Sequence, residues 1–217
     1  MHKYAIVVAG GSGTRMGTDI AKQFLVVKNK PVLMHTLQKF AACNQLVLVL
    51  PAAQISYWQQ LCKEHQFTLP HTVVAGGQER FHSVLNGLNA LPQDGIVAIH
   101  DGVRPCISED IIAQSFADAA THKSAVAAVK LKDSIRMIDA DKTVAVDRTK
   151  FYLVQTPQTF VLADIKQAYL QATSINFTDD AAVFEAAGHA IHLIAGDYKN
   201  IKITTPEDLP LAELFLS

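Results

Sequence analysis

The chain has few of the features that mark secreted, membrane-spanning or nucleic-acid-binding proteins. Its only cysteines, Cys43, Cys62 and Cys106, lie far apart and form no CxxC pair, which argues against a disulfide framework or a zinc knuckle. No apolar run approaches the ~20 residues that cross a bilayer. We therefore expect a cytoplasmic protein that does not insert into membranes.

Charge is also low, and it is balanced over the whole chain. Lys and Arg number 19 against 20 Asp and Glu, so the composition provides no broad basic surface for nucleic acid. The first 63 residues nevertheless hold seven basic residues and a single acid, Asp19, for a net charge of +6. This uneven distribution predicts a local site for a small anionic ligand.

The apolar pattern predicts an α/β fold with a mostly parallel, Rossmann-like sheet covered by helices. The 217 residues, 49% of them apolar, are enough for one large core, so residues 1–217 are expected to form a single domain. Short β-branched runs alternate with segments of helical period. The predicted strands are residues 4–9, 46–50, 72–75 and 96–99, and the predicted helices are residues 32–42, 55–65, 80–91 and 111–122.

A different pattern occupies residues 132–154. Two short strand candidates, residues 134–138 and 144–147, flank the charged, turn-like residues 139–142. An isolated hairpin is marginally stable in water and needs another surface to cover it. We expect this segment to be a projecting arm that packs against a second subunit, which predicts a homodimer.

The strongest local signal is a glycine-rich loop after the first predicted strand. Residues 9–17 read AGGSGTRMG, and Lys22 follows closely. Glycines let backbone N–H groups approach phosphate oxygens, and nearby cations add positive charge. The predicted polyphosphate contacts are Ala9, Gly10, Gly11, Gly13, Arg15 and Lys22.

Two better-known phosphate loops do not fit this segment. The dinucleotide pattern GxGxxG fails because Met16 stands where the third glycine belongs, and no acid between Ile20 and Lys63 is available for a ribose. A Walker A loop fails because the segment has no Gly-Lys-Ser/Thr. A plain glycine-rich turn stays open as the alternative.

Asp101 lies at the carboxyl end of the predicted strand 96–99, at the edge where ligands gather in open α/β sheets. Its carboxylate is placed to face a metal or sugar hydroxyls. The alternative is an ion pair with Arg104, three residues on, and the sequence leaves both possibilities open.

Six ordered motifs resemble those of the sugar-phosphate cytidylyltransferases. From Val8 to about Leu214 they are GGSGTRMG…KQF, GGQERFHSV, HDGVRP, QTPQTF, TDDAAV and NIKITTPEDL. The resemblance is closest to the family that acts on 2-C-methyl-D-erythritol 4-phosphate in the non-mevalonate isoprenoid pathway. Ribitol 5-phosphate is the alternative acceptor, because the doubled Gly10-Gly11 and QTPQTF also occur in ribitol-5-phosphate cytidylyltransferases. A CTP-sensing module without catalysis is a second alternative.

The resemblance implies a fold of the nucleotide-diphospho-sugar transferase type and transfer of CMP from CTP to a polyol phosphate, with release of pyrophosphate. It also implies Mg²⁺ held mainly by the CTP phosphates. A phosphate monoester is largely dianionic at neutral pH, so no protein base is required, and His100 is expected to be structural.

The resemblance further implies roles for individual residues. Arg148 and Thr178 are expected to reach into the neighbouring subunit's site. The expected catalytic residues are Arg15, Lys22 and Lys202, the cytidine contacts are Gly77, Arg80 and Ser83, and the acceptor contacts are Asp101, Arg104, Arg148, Thr156 and Thr178.

Overall fold

The computed structural model describes residues 1–10 and 20–216. Seven strands form one sheet in the order β11-β7-β10-β6-β1-β4-β5, and two pairs, β2-β3 and β8-β9, stand apart from it. The strands of the described residues are β1 (Lys3–Val8), β2 (Val26–Val27), β3 (Lys30–Pro31), β4 (Gln45–Leu50), β5 (Thr72–Ala75), β6 (Ile96–Asp101), β7 (Ser124–Lys130), β8 (Ile135–Asp139), β9 (Lys142–Val146), β10 (Tyr152–Val161) and β11 (Leu193–Ala195).

Seven α-helices accompany these strands in the described residues, and most of them cover the sheet. They are α1 (Val32–Lys39), α2 (Ile55–Glu64), α3 (Arg80–Asn89), α4 (Glu109–His122), α5 (Leu162–Gln171), α6 (Asp180–Ala186) and α7 (Asp208–Phe215). In the part of the chain that the structure describes, no helix is long and apolar enough to cross a membrane.

The sheet is mostly parallel, as the apolar runs predict. β1 pairs in parallel with β4 and β6, β4 with β5, and β7 with β11, whereas β10 runs antiparallel to both β6 and β7. The α/β prediction is therefore confirmed. The strand β10 was not predicted, since its first three residues are exposed and the next six are buried, which no single period describes.

Two hydrophobic layers explain why the central strands carry apolar residues at every position. Alternate residues of β1 point to opposite faces, so Ala5 and Val7 pack with α1, α2 and α4, whereas Ile6 and Val8 pack with α3, α5 and α6. The sheet is buried on both faces, and ligands then reach it at the ends of its strands.

The predicted hairpin is present but its turn is shorter than expected. β8 and β9 pair antiparallel, with Asp139 opposite Lys142, and the connecting Ala140 has a left-handed φ of 50°. Met137 and Ile138 are exposed on this hairpin, Ile138 by 78%. It therefore presents apolar side chains that nothing in the chain covers among the described residues.

Candidate functional site

A cavity of about 350 Å³ opens where β1 and β6 end and α3 begins. We call it the first cavity. Eight residues predicted from the sequence line it, namely Ala9, Gly10, Lys22, Gly77, Arg80, Ser83, Asp101 and Lys202. The predicted contacts Gly11, Gly13 and Arg15 lie outside the described residues.

The turn between β5 and α3 needs its glycines for close packing. The Ser83 hydroxyl accepts a hydrogen bond from the Gly77 N–H and donates one to the Glu79 carbonyl, each at 3.1 Å. A Cβ on Gly77 would lie 2.3 Å from the Cβ of His82, and one on Gly76 would lie 2.9 Å from Ser83 Oγ. This tight turn exposes backbone to the first cavity.

Lys22 and Gln23 reach the first cavity from a short 3₁₀ helix, and both are largely buried. The Gln23 Nε2 donates to the Ala9 carbonyl at 3.0 Å and to Gln54 Oε1 at 2.8 Å. Its own Oε1 has no partner among the described residues. Gln23 thus holds the chain directly after β1, a role that the KQF motif did not suggest.

Arg80 is held by a buried carboxylate. Its two terminal nitrogens donate to Asp180 Oδ1 and Oδ2 at 2.8 and 2.6 Å, and the Tyr169 hydroxyl donates to Oδ1 at 2.6 Å. Burial alone would lower the pKa of Arg80, but the charge and hydrogen bonds of Asp180 outweigh it and raise that pKa. The guanidinium therefore stays charged and fixed in its plane.

Asp101 stands at the centre of the site. Lys202 Nζ lies 3.0 Å and Arg104 Nε 3.3 Å from Asp101 Oδ2. Burial favours a raised pKa, but Lys202, Arg80 and Arg104 outweigh it and hold the pKa of Asp101 well below its usual value. The ion pair that the sequence left open is therefore present, and the carboxylate is anionic at neutral pH.

A second cavity of about 360 Å³ adjoins the first and shares Arg80, Asp101 and Lys202 with it. It brings together Arg104, Thr156 and Thr178, three of the residues expected to bind the acceptor. The Thr156 hydroxyl accepts a hydrogen bond from the Asp101 N–H at 3.0 Å, and its own proton stays available to another acceptor.

Buried amides place the walls of the second cavity, and sequence reasoning missed them. Asn200 Nδ2 donates to the Thr156 carbonyl at 2.8 Å and to Gln155 Oε1 at 3.2 Å, which ties the segment before Lys202 to β10. Arg104 donates to the Asn200 carbonyl at 2.8 Å. These residues occur in the quoted motifs, but the pairing of distant segments leaves no local signal.

The loop that carries Thr178 is fixed in the same way. Gln158 Nε2 donates to Asp179 Oδ2 at 2.9 Å, and Gln158 Oε1 accepts from the Ala181 N–H at 2.8 Å. Asp179 caps α6, since its Oδ1 accepts from the Ala182 N–H. Thr178 lines the second cavity of its own chain, and the expectation that it also reaches a neighbouring subunit's site stays a prediction.

Arg148 does not join either cavity within its own chain. It lies in an exposed 3₁₀ turn after β9, where it donates a hydrogen bond to the Lys132 carbonyl at the base of the hairpin. The structure therefore separates it from the other predicted acceptor contacts.

His100 is buried beneath the site and matches the structural interpretation. Its ring packs against Phe40, and Nε2 donates to the Arg104 carbonyl at 3.1 Å. Burial lowers the pKa of His100 to about 4. The neutral imidazole supports the turn that carries Arg104.

Comparison with known proteins identifies the family. A family model described as 2-C-methyl-D-erythritol 4-phosphate cytidylyltransferase matches residues 3–217. The chain belongs to this family. A curated member from Bacteroides thetaiotaomicron is 47% identical to it, and the match covers 100% of both chains. A curated member from Porphyromonas gingivalis is 48% identical, and the match covers 99% of this chain and 98% of the relative.

Solved structures agree with this assignment. The chain superposes on the 4-diphosphocytidyl-2C-methyl-D-erythritol synthase of Anaerococcus prevotii with a TM-score of 0.85 and 30% identity, covering 99% of this chain and 96% of the other. Membership of the cytidylyltransferase family makes the chain an enzyme that uses CTP. The comparisons give no support to ribitol 5-phosphate as the acceptor or to a CTP sensor.

Proposed function

We propose that the first cavity holds CTP and the second holds 2-C-methyl-D-erythritol 4-phosphate, and that cytidylyl transfer takes place across their shared wall. The observation that carries this proposal is that Arg80, Asp101 and Lys202 line both cavities. Two anionic substrates held side by side against this wall need only alignment and neutralised charge to react.

On the nucleotide side, the Gly76-Gly77 turn and Ser83 bind the cytidine, while Gly10 and Lys22 receive the triphosphate. Arg15, together with Gly11 and Gly13, is assigned to the triphosphate from the sequence motif. Lys22 is largely buried in the first cavity, where low dielectric strengthens its attraction to phosphate charge.

On the acceptor side, Arg104, Thr156, Thr178 and Lys202 hold the polyol phosphate. One of its phosphate oxygens attacks the α-phosphorus of CTP and forms a new P–O bond. The bond from the α-phosphorus to the bridging oxygen of the β-phosphate breaks, and pyrophosphate leaves with that oxygen and its electron pair. The attacking phosphate is already dianionic, so no protein group has to remove a proton.

The residues that line the two cavities fit a Mg²⁺ ion that is coordinated mainly by the CTP phosphates. Among the described residues no cluster of three or more His, Cys, Asp or Glu side chains could hold a metal, and Asp101 is the carboxylate that both cavities share. Mg²⁺ prefers phosphate oxygens and water to a cage of protein ligands. When bound, it supplies charge neutralisation on the phosphates.

The hairpin is assigned to a homodimer interface. Met137, Ile138 and Val144 expose apolar surface on it, and Phe151 and Leu153, just before and at the start of β10, are also exposed. In a dimer, the Arg148 side chain is expected to reach into the acceptor site of the second subunit. Ile138→Asp should convert a dimer into a monomer in sedimentation, and a wild-type monomer at micromolar concentration would contradict the assignment.

The three cysteines support a reducing compartment such as the cytoplasm. Cys43, Cys62 and Cys106 are all free, and burial raises the pKa of each thiol, so none is a reactive thiolate at neutral pH.

A pyrophosphate-release assay tests the proposed function. Purified protein with Mg²⁺ and CTP is expected to release pyrophosphate with 2-C-methyl-D-erythritol 4-phosphate and not with ribitol 5-phosphate, and UTP in place of CTP is the matched control. Absence of release with either acceptor, while CTP still binds, would contradict the function.

A further inference from the structure

We propose that Asp180 is a positioning residue that holds the Arg80 guanidinium in the wall between the two cavities. The inference rests on the proposed function, which places a substrate on each side of Arg80. Asp180 is fully buried and lines neither cavity, so it does not contact a substrate in either cavity, and its direct link to both cavities is Arg80.

The contact between the two side chains fixes orientation as well as distance. Arg80 uses one nitrogen for each carboxylate oxygen, at 2.8 and 2.6 Å. A two-point contact of this kind holds the plane of the guanidinium, which a single contact does not do. Arg80 has further N–H groups beyond the two that this contact uses, and the residue lines both cavities.

Asp180 is itself held from two directions. The Tyr169 hydroxyl, on α5, donates to Oδ1 at 2.6 Å, and the Tyr169 ring stacks on Phe81, the neighbour of Arg80, with centroids 4.7 Å apart. Gln158 fixes the start of α6 by accepting from the Ala181 N–H. The carboxylate therefore has little freedom to follow Arg80, and Arg80 has to conform to it.

The two partners of this ion pair differ in exposure. The side chain of Arg80 is 31% exposed, whereas that of Asp180 is 0% exposed. The Asp180 carboxylate is therefore enclosed by protein, whereas Arg80 lines both cavities. The second cavity also includes Thr178, two residues before Asp180.

A double-mutant cycle on the KM values of the two substrates tests the proposal. Asp180→Asn removes the carboxylate charge, and Arg80→Lys keeps the positive charge but loses the two-point contact. We expect Asp180→Asn to raise the KM of both substrates about tenfold in the wild-type background and less than about twofold in the Arg80→Lys background. Equal losses in the two backgrounds would show that Asp180 does not act through Arg80 and would overturn the proposal.

A milder variant covers the case in which Asp180→Asn does not fold. Tyr169→Phe removes one hydrogen bond to the carboxylate and should raise both KM values several-fold. The matched control is Lys166→Met, on the same helix, because the largely buried Lys166 donates, within the described part of the chain, only to the Leu91 and Pro92 carbonyls. This control should lower the melting temperature with both KM values unchanged. If Tyr169→Phe also changes only the melting temperature, the proposal is wrong.

Calorimetric titration with CTP separates this inference from the proposed function. If the wild-type protein binds CTP but transfers nothing, the proposed function fails, and the same cycle measured on the Kd of CTP still decides the role of Asp180. Coupling between the two positions in Kd would support it, and additive effects would refute it. A wild-type protein that does not bind CTP would overturn both.

Discussion

The two cavities are built in different ways. Most of the residues that line the first cavity belong to the turns directly after β1 and β5 or to the chain close to them, and Asp101 and Lys202 join them from the wall shared with the second cavity. The second gathers side chains from Asp101, Arg104, β10, the Thr178 loop and Lys202, and buried amides hold these segments together. Local chain geometry therefore makes the nucleotide side, whereas contacts between distant segments make the acceptor side.

The largest expected effect tests the chemical role of the nucleotide side. Lys22→Ala should lower kcat by about 10²- to 10³-fold, because the lysine acts mainly on charge that develops in the transition state. The Kd of CTP, measured by calorimetry, should change much less. Lys63→Ala, which removes an exposed charge on α2, is the control. Equal losses in kcat and in CTP affinity would make Lys22 only a binding residue.

The next effect tests whether the acceptor side depends on its buried hydrogen bonds. Thr156→Val removes the hydroxyl that accepts from the Asp101 N–H, and a buried unpaired donor costs about 1–3 kcal/mol. The KM of the acceptor should rise about tenfold or more, since a lost hydrogen bond of this size changes binding by that factor. The KM of CTP should stay nearly constant in the same steady-state measurements.

Thr159→Val is a matched control for that change, because Thr159 lies on the same strand and donates to Ser115 Oγ away from both cavities. It should affect stability alone. If both threonine variants raise the KM of CTP as much as that of the acceptor, the division between the two cavities is wrong.

A smaller effect tests the local origin of the nucleotide side. Gly77→Ala puts a Cβ 2.3 Å from the Cβ of His82, so the turn has to shift. We expect the KM of CTP to rise several-fold and the KM of the acceptor to stay unchanged. Gly10→Ala should be milder, because its Cβ would meet Ser83 Oγ at an ordinary 3.8 Å. A larger effect at Gly10 would contradict this ordering.

These contrasts explain how much of the molecule the sequence predicts. Some features can be predicted from neighbouring residues in the sequence, namely the apolar runs of β1, β4 and β6 and the glycines at residues 76–77. The α/β fold and the nucleotide side of the site were therefore predictable. Asp180 and Asn200 depend on partners 100 and 44 residues away, Arg80 and Thr156. Neither hydrophobic periodicity nor motif spacing indicates such a contact between distant residues. The motifs include these segments but do not show what Asp180 and Asn200 do.

The last effect is on stability and leaves substrate binding aside: it concerns pH and the support beneath Arg104. His100 has its pKa lowered to about 4, so between about pH 6.5 and 4 the unfolded chain binds a proton that the folded chain does not. Stability should therefore fall as pH drops through this window, by up to about 3 kcal/mol. Urea unfolding at several pH values measures this change.

His100→Gln is the variant that isolates this contribution. It keeps a side-chain donor for the Arg104 carbonyl but cannot titrate, so its unfolding free energy should depend less on pH between 6.5 and 4. An unchanged dependence would assign the acid sensitivity to other groups.

Isotope tracing tests most directly the claim that the acceptor phosphate attacks CTP across the shared wall. The acceptor is prepared with ¹⁸O in the non-bridging oxygens of its phosphate, and the products are analysed by ³¹P NMR and mass spectrometry. Attack on the α-phosphorus predicts that ¹⁸O enters the new diphosphate bridge and that the released pyrophosphate carries none. Labelled pyrophosphate, or an unlabelled bridge in the product, would contradict the account.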